Sequence, residues 1–156
     1  MRLQLALDVD DLDRAVDFYA AMFGVAPAKR RPGYANFVVA DPPLKLVLFE
    51  GGAPGAINHL GVETSSPEEV VAAEARLAAT GLETTGVDET VCCYAEKTET
   101  WVESPEGHRW EWYVATADAD QLESTVVRSV APAGGGEAAA AEATAPLDAG
   151  RPGCCG

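Results

Sequence analysis

A strand-then-helix pattern that occurs twice, 55 residues apart, constrains this 156-residue chain more than any other feature. Leu3, Leu5, Leu7 and Val9 alternate with Gln4, Ala6 and Asp8, the period of a strand with two different faces. Asp10 and Asp11 stand where a helix cap belongs, and Leu12, Ala15, Tyr19, Met22 and Phe23 follow at helical spacing until Gly24. Extended segments are predicted next at about 25–30, 34–40 and 44–50, punctuated by Arg31-Pro32-Gly33 and Asp41-Pro42-Pro43. The order then recurs. Leu60 and Val62 alternate with His59, Gly61 and Glu63, and Ser66-Pro67-Glu68-Glu69 reads as a capping box with proline at the first helical position. The second helix carries Val70, Ala73 and Leu77 and stops at Gly81. Strand-like pieces follow at about 83–87, 91–95, 97–103 and 109–115, one of them an extended loop. Gln4 corresponds to His59 and Asp11 to Ser66 with little residue identity, so the repeat is one of architecture.

Two tandem βαβββ units predict an α+β fold in one domain over residues 1–116, with modules at about 1–52 and 56–116. They are expected to form a curved mixed sheet around a cavity. From about residue 117 to 156 the composition shifts to alanine, glycine and proline, which predicts a low-complexity, flexible tail. Within it, Glu137 to Ala143 is long enough only for a marginal helix.

Charge narrows the partners. With 25 acidic and 11 basic residues the chain carries a formal −14, which repels a phosphate backbone and argues against nucleic acid. No apolar run is long enough to span a bilayer and the N-terminus does not read as a signal peptide, so no membrane and a cytoplasmic location are expected. Nothing in the sequence specifies an oligomeric state.

Because strand neighbours face opposite ways, Gln4 and His59 point away from the helices at equivalent places in the two units. In Trp110-Glu111-Trp112-Tyr113-Val114, Glu111 and Tyr113 face away from the two tryptophans, so a carboxylate can join them. One imidazole nitrogen and two oxygens suit iron, manganese or nickel with positions left open. The same residues also serve as ordinary structural groups: a hydrogen-bonded histidine, a surface glutamine, a glutamate paired with arginine. His108, in Pro105-Glu106-Gly107-His108, reads as a solvated loop residue.

The four cysteines come as adjacent pairs, Cys92-Cys93 and Cys154-Cys155, a spacing suited to ligands rather than to staples between distant segments. Two soft thiolates can chelate trivalent arsenic, cadmium or copper(I). In an ideal strand Cys92 and Cys93 would face opposite sides, so they share an ion only where the backbone departs from that geometry. A loop from Gly86 to Glu96 is the expected departure, closing over the site once the thiols are occupied.

Gln4, His59 and Glu111 on paired strand-helix-three-strand units resemble the vicinal oxygen chelate superfamily of glyoxalases, bleomycin resistance proteins and extradiol dioxygenases. Within it, Arg31-Pro32-Gly33-Tyr34-Ala35-Asn36-Phe37, Pro42-Pro43-Leu44-Lys45-Leu46-Val47-Leu48, Asn58-His59-Leu60-Gly61-Val62 and Thr90-Val91-Cys92-Cys93-Tyr94 resemble the arsenic–carbon lyases and the similar cadmium-induced proteins. The resemblance covers about residues 1–116. It implies iron(II) on Gln4, His59 and Glu111, with nickel, cobalt or manganese able to take its place in isolated protein. It implies a trivalent organoarsenical on Cys92 and Cys93, dioxygen as co-substrate, and cleavage of the carbon–arsenic bond to release arsenite. Tyr94, Trp101 and Tyr113 are expected to line the pocket, and Lys45 and Lys97 to lie near it. Cys154 and Cys155 do not map onto this pattern and read as auxiliary thiols or an incidental terminus. Two rival functions stand beside this one: a soft-metal binding protein without turnover, and a glyoxalase-like isomerase or thiol transferase. The second leaves Cys92-Cys93 without a role.

Overall fold

The computed structural model describes residues 1–130. Nine strands and two helices alternate as β1 (Arg2–Val9), α1 (Leu12–Phe23), β2 (Lys29–Arg31), β3 (Tyr34–Val39), β4 (Leu44–Glu50), β5 (Ile57–Glu63), α2 (Pro67–Ala79), β6 (Val87–Cys92), β7 (Ala95–Glu103), β8 (Arg109–Asp118) and β9 (Thr125–Val130). All strands join one open, curved sheet in the order β2-β3-β4-β1-β5-β8-β7-β6-β9. The expected α+β class holds. Each module contributes a four-stranded half, β2-β3-β4-β1 and β6-β7-β8-β5, whose first strand runs parallel to its last. The halves meet where β1 lies antiparallel to β5.

Both helices begin and end where their residues dictate. The Asp11 side chain accepts from the Arg14 N–H, and Gly24, at φ 66°, takes the left-handed turn that ends α1. Ser66 accepts from Glu69 N–H ahead of Pro67, while the Glu69 carboxylate accepts from Ser65 N–H at 2.7 Å. Leu12 and Val16 of α1 pack on Ala35, Phe37, Val39, Leu46 and Leu48, the outward residues of β3 and β4. Burying a leucine of this kind contributes about 1.5–3 kcal/mol. Since Leu46 and Leu48 face the helix, their neighbours Lys45, Val47 and Phe49 must face the concave side. Val70 of α2 packs likewise on Val87 and Val114.

Of the four strand-like pieces expected in the second unit, 83–87 is the extended loop: residues 83–86 form no strand beyond a single bridge between Thr84 and Val102. The rest of the second unit departs from the sequence reading. β8 runs on to Asp118 and β9 lies at Thr125–Val130, inside the stretch assigned to a flexible tail. β9 carries Val126 and Val127 and pairs with β6, so ladder hydrogen bonds and β-branched residues order a stretch whose composition had suggested otherwise. The expected loop from Gly86 to Glu96 is a tight hairpin, with β6 paired to β7 and to β9. The marginal helix expected at Glu137–Ala143 and the pair Cys154-Cys155 lie outside the described residues.

Candidate active site

Strand register assembles the site. On the concave face, Lys45 of β4 lies beside Gln4 of β1, Gln4 beside Gly61 of β5, Gly61 beside Glu111 of β8, and Glu111 beside Trp101 of β7. His59 lies one pleat along, opposite Ala6. The side chains of Gln4, His59 and Glu111 therefore converge over a glycine. A β-carbon at Gly61 would sit 3.1 Å from the Glu111 carbonyl oxygen and 3.3 Å from Gln4 Nε2, so the absent side chain leaves the room in which they meet.

Gln4 Nε2 lies 2.9 Å from His59 Nε2 and 3.0 Å from Glu111 Oε2, and His59 Nε2 lies 3.5 Å from Glu111 Oε2. All three side chains are buried. Adjacent ligands about 2.1 Å from an octahedral ion stand about 3.0 Å apart, so this triangle has the size of one face of a metal's coordination shell. Among the described residues, no three His, Cys, Asp or Glu side chains cluster as a ligand set, so the convergence depends on the Gln4 amide.

The β1–β5 ladder contains an irregularity, with Ala6 opposite His59 and Leu7 opposite Ile57, which leaves Asn58 as an extra residue. Such a bulge re-aims side chains. Here Asn58 Oδ1 lies 2.8 Å from His59 Nδ1, while Asn58 Nδ2 donates to Asp8 Oδ1 at 2.9 Å. With the proton on Nδ1 donated to Asn58, the lone pair of Nε2 faces the convergence point, the usual arrangement behind a metal-binding imidazole.

A buried charge cluster backs the carboxylate. Lys97 Nζ donates to Glu111 Oε1 at 2.6 Å and forms an ion pair with Glu99 Oε2 at 3.1 Å. Burial alone would raise the pKa of Glu111, but the Lys97 ammonium and then His59 outweigh it and hold the group well below the usual carboxylate range. Burial disfavours the charge on Lys97, yet Glu111, Glu99 and Cys93 keep it above its ordinary value. Glu99, raised by burial and opposed by Lys97, is pushed up to about 7. The Tyr113 hydroxyl, kept protonated chiefly by burial, donates to Gln4 Oε1 and fixes the amide plane.

The β6–β7 hairpin carries the second component. Cys92 pairs with Ala95, leaving Cys93 and Tyr94 as a two-residue turn with φ of 58° and 61°. Left-handed backbone costs a non-glycine residue about 1–2 kcal/mol, and such turns ordinarily take Asn-Gly. This departure from strand geometry puts the sulfurs on one side, 2.6 Å apart.

Gln4, His59 and Cys93 share a cavity of about 30 Å³ that is also lined by Tyr34, Lys45, Val47, Phe49, Ala95, Lys97, Tyr113 and Ala115. Of the three aromatic residues expected in the lining, only Tyr113 is there. Tyr94 instead packs on Tyr34, with ring centroids 5.6 Å apart, and donates from its hydroxyl to the Pro32 carbonyl at 3.0 Å. Trp101 stands edge-on to His59, 5.2 Å between centroids, with its Nε1–H donated to Glu99. Tyr34, Val47 and Phe49 were missed, although the alternation in β4 marks Val47 and Phe49 as facing away from the helix. His108 is an exposed turn residue, as expected.

Residues 3–112 match the model of the Glyoxalase/Bleomycin resistance protein/Dioxygenase superfamily, and the chain belongs to that superfamily. Its relatives narrow the placement. The chain is 52% identical over 124 residues to the cadmium-induced protein CadI of Mycobacterium tuberculosis, covering 79% of this chain and 82% of that one. It is 50% identical over 123 residues to the trivalent organoarsenical cleaving enzyme of Thermomonospora curvata, covering 78% and 82%. The chain thus falls in the family these two proteins share. The Mn(II)-bound glyoxalase from Novosphingobium aromaticivorans has the same fold, with a TM-score of 0.56 and 19% identity over 77% of this chain and 40% of that one.

If Gln4, His59 and Glu111 hold a divalent metal, replacing Gly61 with alanine is expected to weaken Mn(II) binding on the order of tenfold without unfolding the protein, because the new methyl presses on Gln4 and the Glu111 backbone. Metal titration followed by water-proton relaxation checks this; affinity equal to that of the unsubstituted protein would mean that the glycine does not shape the site.

Proposed function

We propose that this protein is an iron(II)- and dioxygen-dependent lyase that cleaves the carbon–arsenic bond of trivalent organoarsenicals, a detoxifying reaction in the cytoplasm. The observation that carries the reading is that Gln4, His59 and Cys93 line one cavity. Support comes also from the likeness to the Thermomonospora relative, a trivalent organoarsenical cleaving enzyme.

Gln4, His59 and Glu111 would hold the metal. A glutamine coordinates through oxygen, and a half-turn of the Gln4 amide exchanges Nε2 for Oε1 while the Tyr113 hydroxyl turns from donor to acceptor. Iron bound there would supply the dioxygen chemistry that side chains lack.

The remaining work falls to the chain itself. The reduced Cys92-Cys93 pair condenses with a dihydroxy arsenical, forming two sulfur–arsenic bonds and releasing two waters. That capture holds the organic group against the triad and converts an encounter into an intramolecular reaction. Tyr34, Val47 and Phe49 wall the space and exclude water, while Lys97 keeps Glu111 ionised. For methylarsenite the change balances with one dioxygen, giving formaldehyde and arsenite. A cavity of about 30 Å³ takes a methyl group as it stands, whereas a phenyl ring requires the hairpin tip to move.

The second reading, soft-ion binding without turnover, is favoured by the comparable likeness to a cadmium-induced protein, 52% against 50% identity. The two separate in one assay: arsenite release from methylarsenite by iron(II)-loaded protein, with and without oxygen, beside Cys93→Ser. Release that needs oxygen, iron and the thiol is the expected result. Tight binding with no release under any condition establishes the binding protein instead.

A further inference from the structure

The turn that brings the two sulfurs together is disfavoured by its own residues, so something outside the hairpin must hold it. The holder is the segment between β8 and β9. Leu122 O accepts from Cys93 N–H at 3.0 Å, and Gln121 O accepts from Tyr94 N–H at 2.8 Å. Tyr94 O accepts from Ala119 N–H at 3.1 Å and from Lys29 Nζ at 2.8 Å. The backbone of the turn is thus bonded to the segment through three main-chain hydrogen bonds.

The segment is itself fastened. Gln121 Nε2 lies within hydrogen-bond reach of Val91 O at 3.3 Å, Glu123 O at 3.0 Å and Thr125 Oγ1 at 3.0 Å. Leu122 packs its side chain on the cluster containing Cys92, Cys93, Tyr94 and Tyr34, and its carbonyl also lies 3.7 Å from Cys92 Sγ. Neither Gln121 nor Leu122 lines the cavity.

We infer that Gln121 and Leu122 are positioning residues for arsenic capture: they clasp the Cys93-Tyr94 turn in the left-handed form that sets both sulfurs on one side. Without the clasp the turn relaxes toward ordinary strand backbone, in which adjacent side chains face opposite ways and cannot share one arsenic. The inference rests on the proposed role of the sulfur pair. It concerns capture alone, since the metal residues sit on β1, β5 and β8 and take no support from the segment.

The test uses full-length, reduced, metal-free protein and methylarsenite as the probe, with Gln121→Ala, Leu122→Ala and the conservative Leu122→Met. Three quantities are measured: the Kd for methylarsenite, the Kd for Mn(II), and hydrogen exchange at the Cys93 and Tyr94 amides. In both alanine variants exchange is expected to accelerate and methylarsenite to bind about tenfold more weakly, with Mn(II) affinity unchanged and Leu122→Met like the parent. Faster exchange with unchanged methylarsenite affinity overturns the inference, as does unchanged exchange. A parallel loss of Mn(II) affinity also overturns it, because it reveals general loosening. If the parent protein binds methylarsenite no better than Cys93→Ser does, the role of the sulfur pair itself falls, a separate failure visible before any clasp variant is read.

Discussion

Alanine in place of His59 is expected to lower metal affinity by more than ~100-fold and arsenite release to below ~1% of the parent, while methylarsenite still binds within about twofold. In the proposed metal site the imidazole would be the one nitrogen donor, and its orientation is held by the Asn58–Asp8 chain behind it. The sulfur pair sits on a different hairpin, so capture has no cause to fail with it. Equilibrium dialysis with Mn(II), methylarsenite titration and arsenic speciation after turnover separate the three quantities. Undiminished turnover would remove His59 from the chemistry. Loss of all three together would mean that truncation had disturbed the sheet, which the milder Glu111→Gln variant then resolves, since it keeps the volume and removes the charge.

The second large effect falls on stability. Lys97→Met should destabilise the protein by about 3–5 kcal/mol, because removing one partner of a buried ion cluster leaves uncompensated charge. Here two carboxylates, Glu99 and Glu111, lose their common cation inside the sheet's curve. Thermal unfolding should shift down by roughly 10 °C. Adding Glu99→Gln to the same chain is expected to recover part of the loss, since the amide requires neither the lost cation nor a proton taken up from solvent. Metal binding should weaken as well, because burial without Lys97 raises the Glu111 pKa and favours the protonated acid, a poor ligand. An unchanged melting temperature would show that the cluster is not held as an ionised network.

Gln4, His59 and Glu111 could be read together before any coordinates because strand alternation is local: within each strand, the parity of the apolar residues decides which side chains face the helix. The two helices were legible for a similar reason, since caps such as Asp11 and Ser66 act within a few residues of themselves. Residue type and spacing suggest no role for Lys45 or Lys97. What Lys97 does depends on Glu111, which lies one strand away and two pleats along, a relation set by the β7–β8 register and its irregularity at Glu96/Lys97. Residue type alone points Tyr94 and Trp101 to the pocket. The structure turns one to Pro32 and the other to Glu99, partners 62 residues and 2 residues away.

The sequence by itself determined the doubled βαβββ architecture, the helix limits and the facing of each candidate ligand, because those follow from periodicity and capping, interactions that reach a few residues along the chain. Only the tertiary structure decided that Asn58 is a bulge residue behind His59, that Gly61 leaves room for the triad, and that Cys93 and Tyr94 turn left-handed under the clasp of Gln121 and Leu122. These depend on register between strands distant in sequence, where a shift of one residue reverses every side chain. Chain-local preferences do not set that register; the pairing of the whole sheet does.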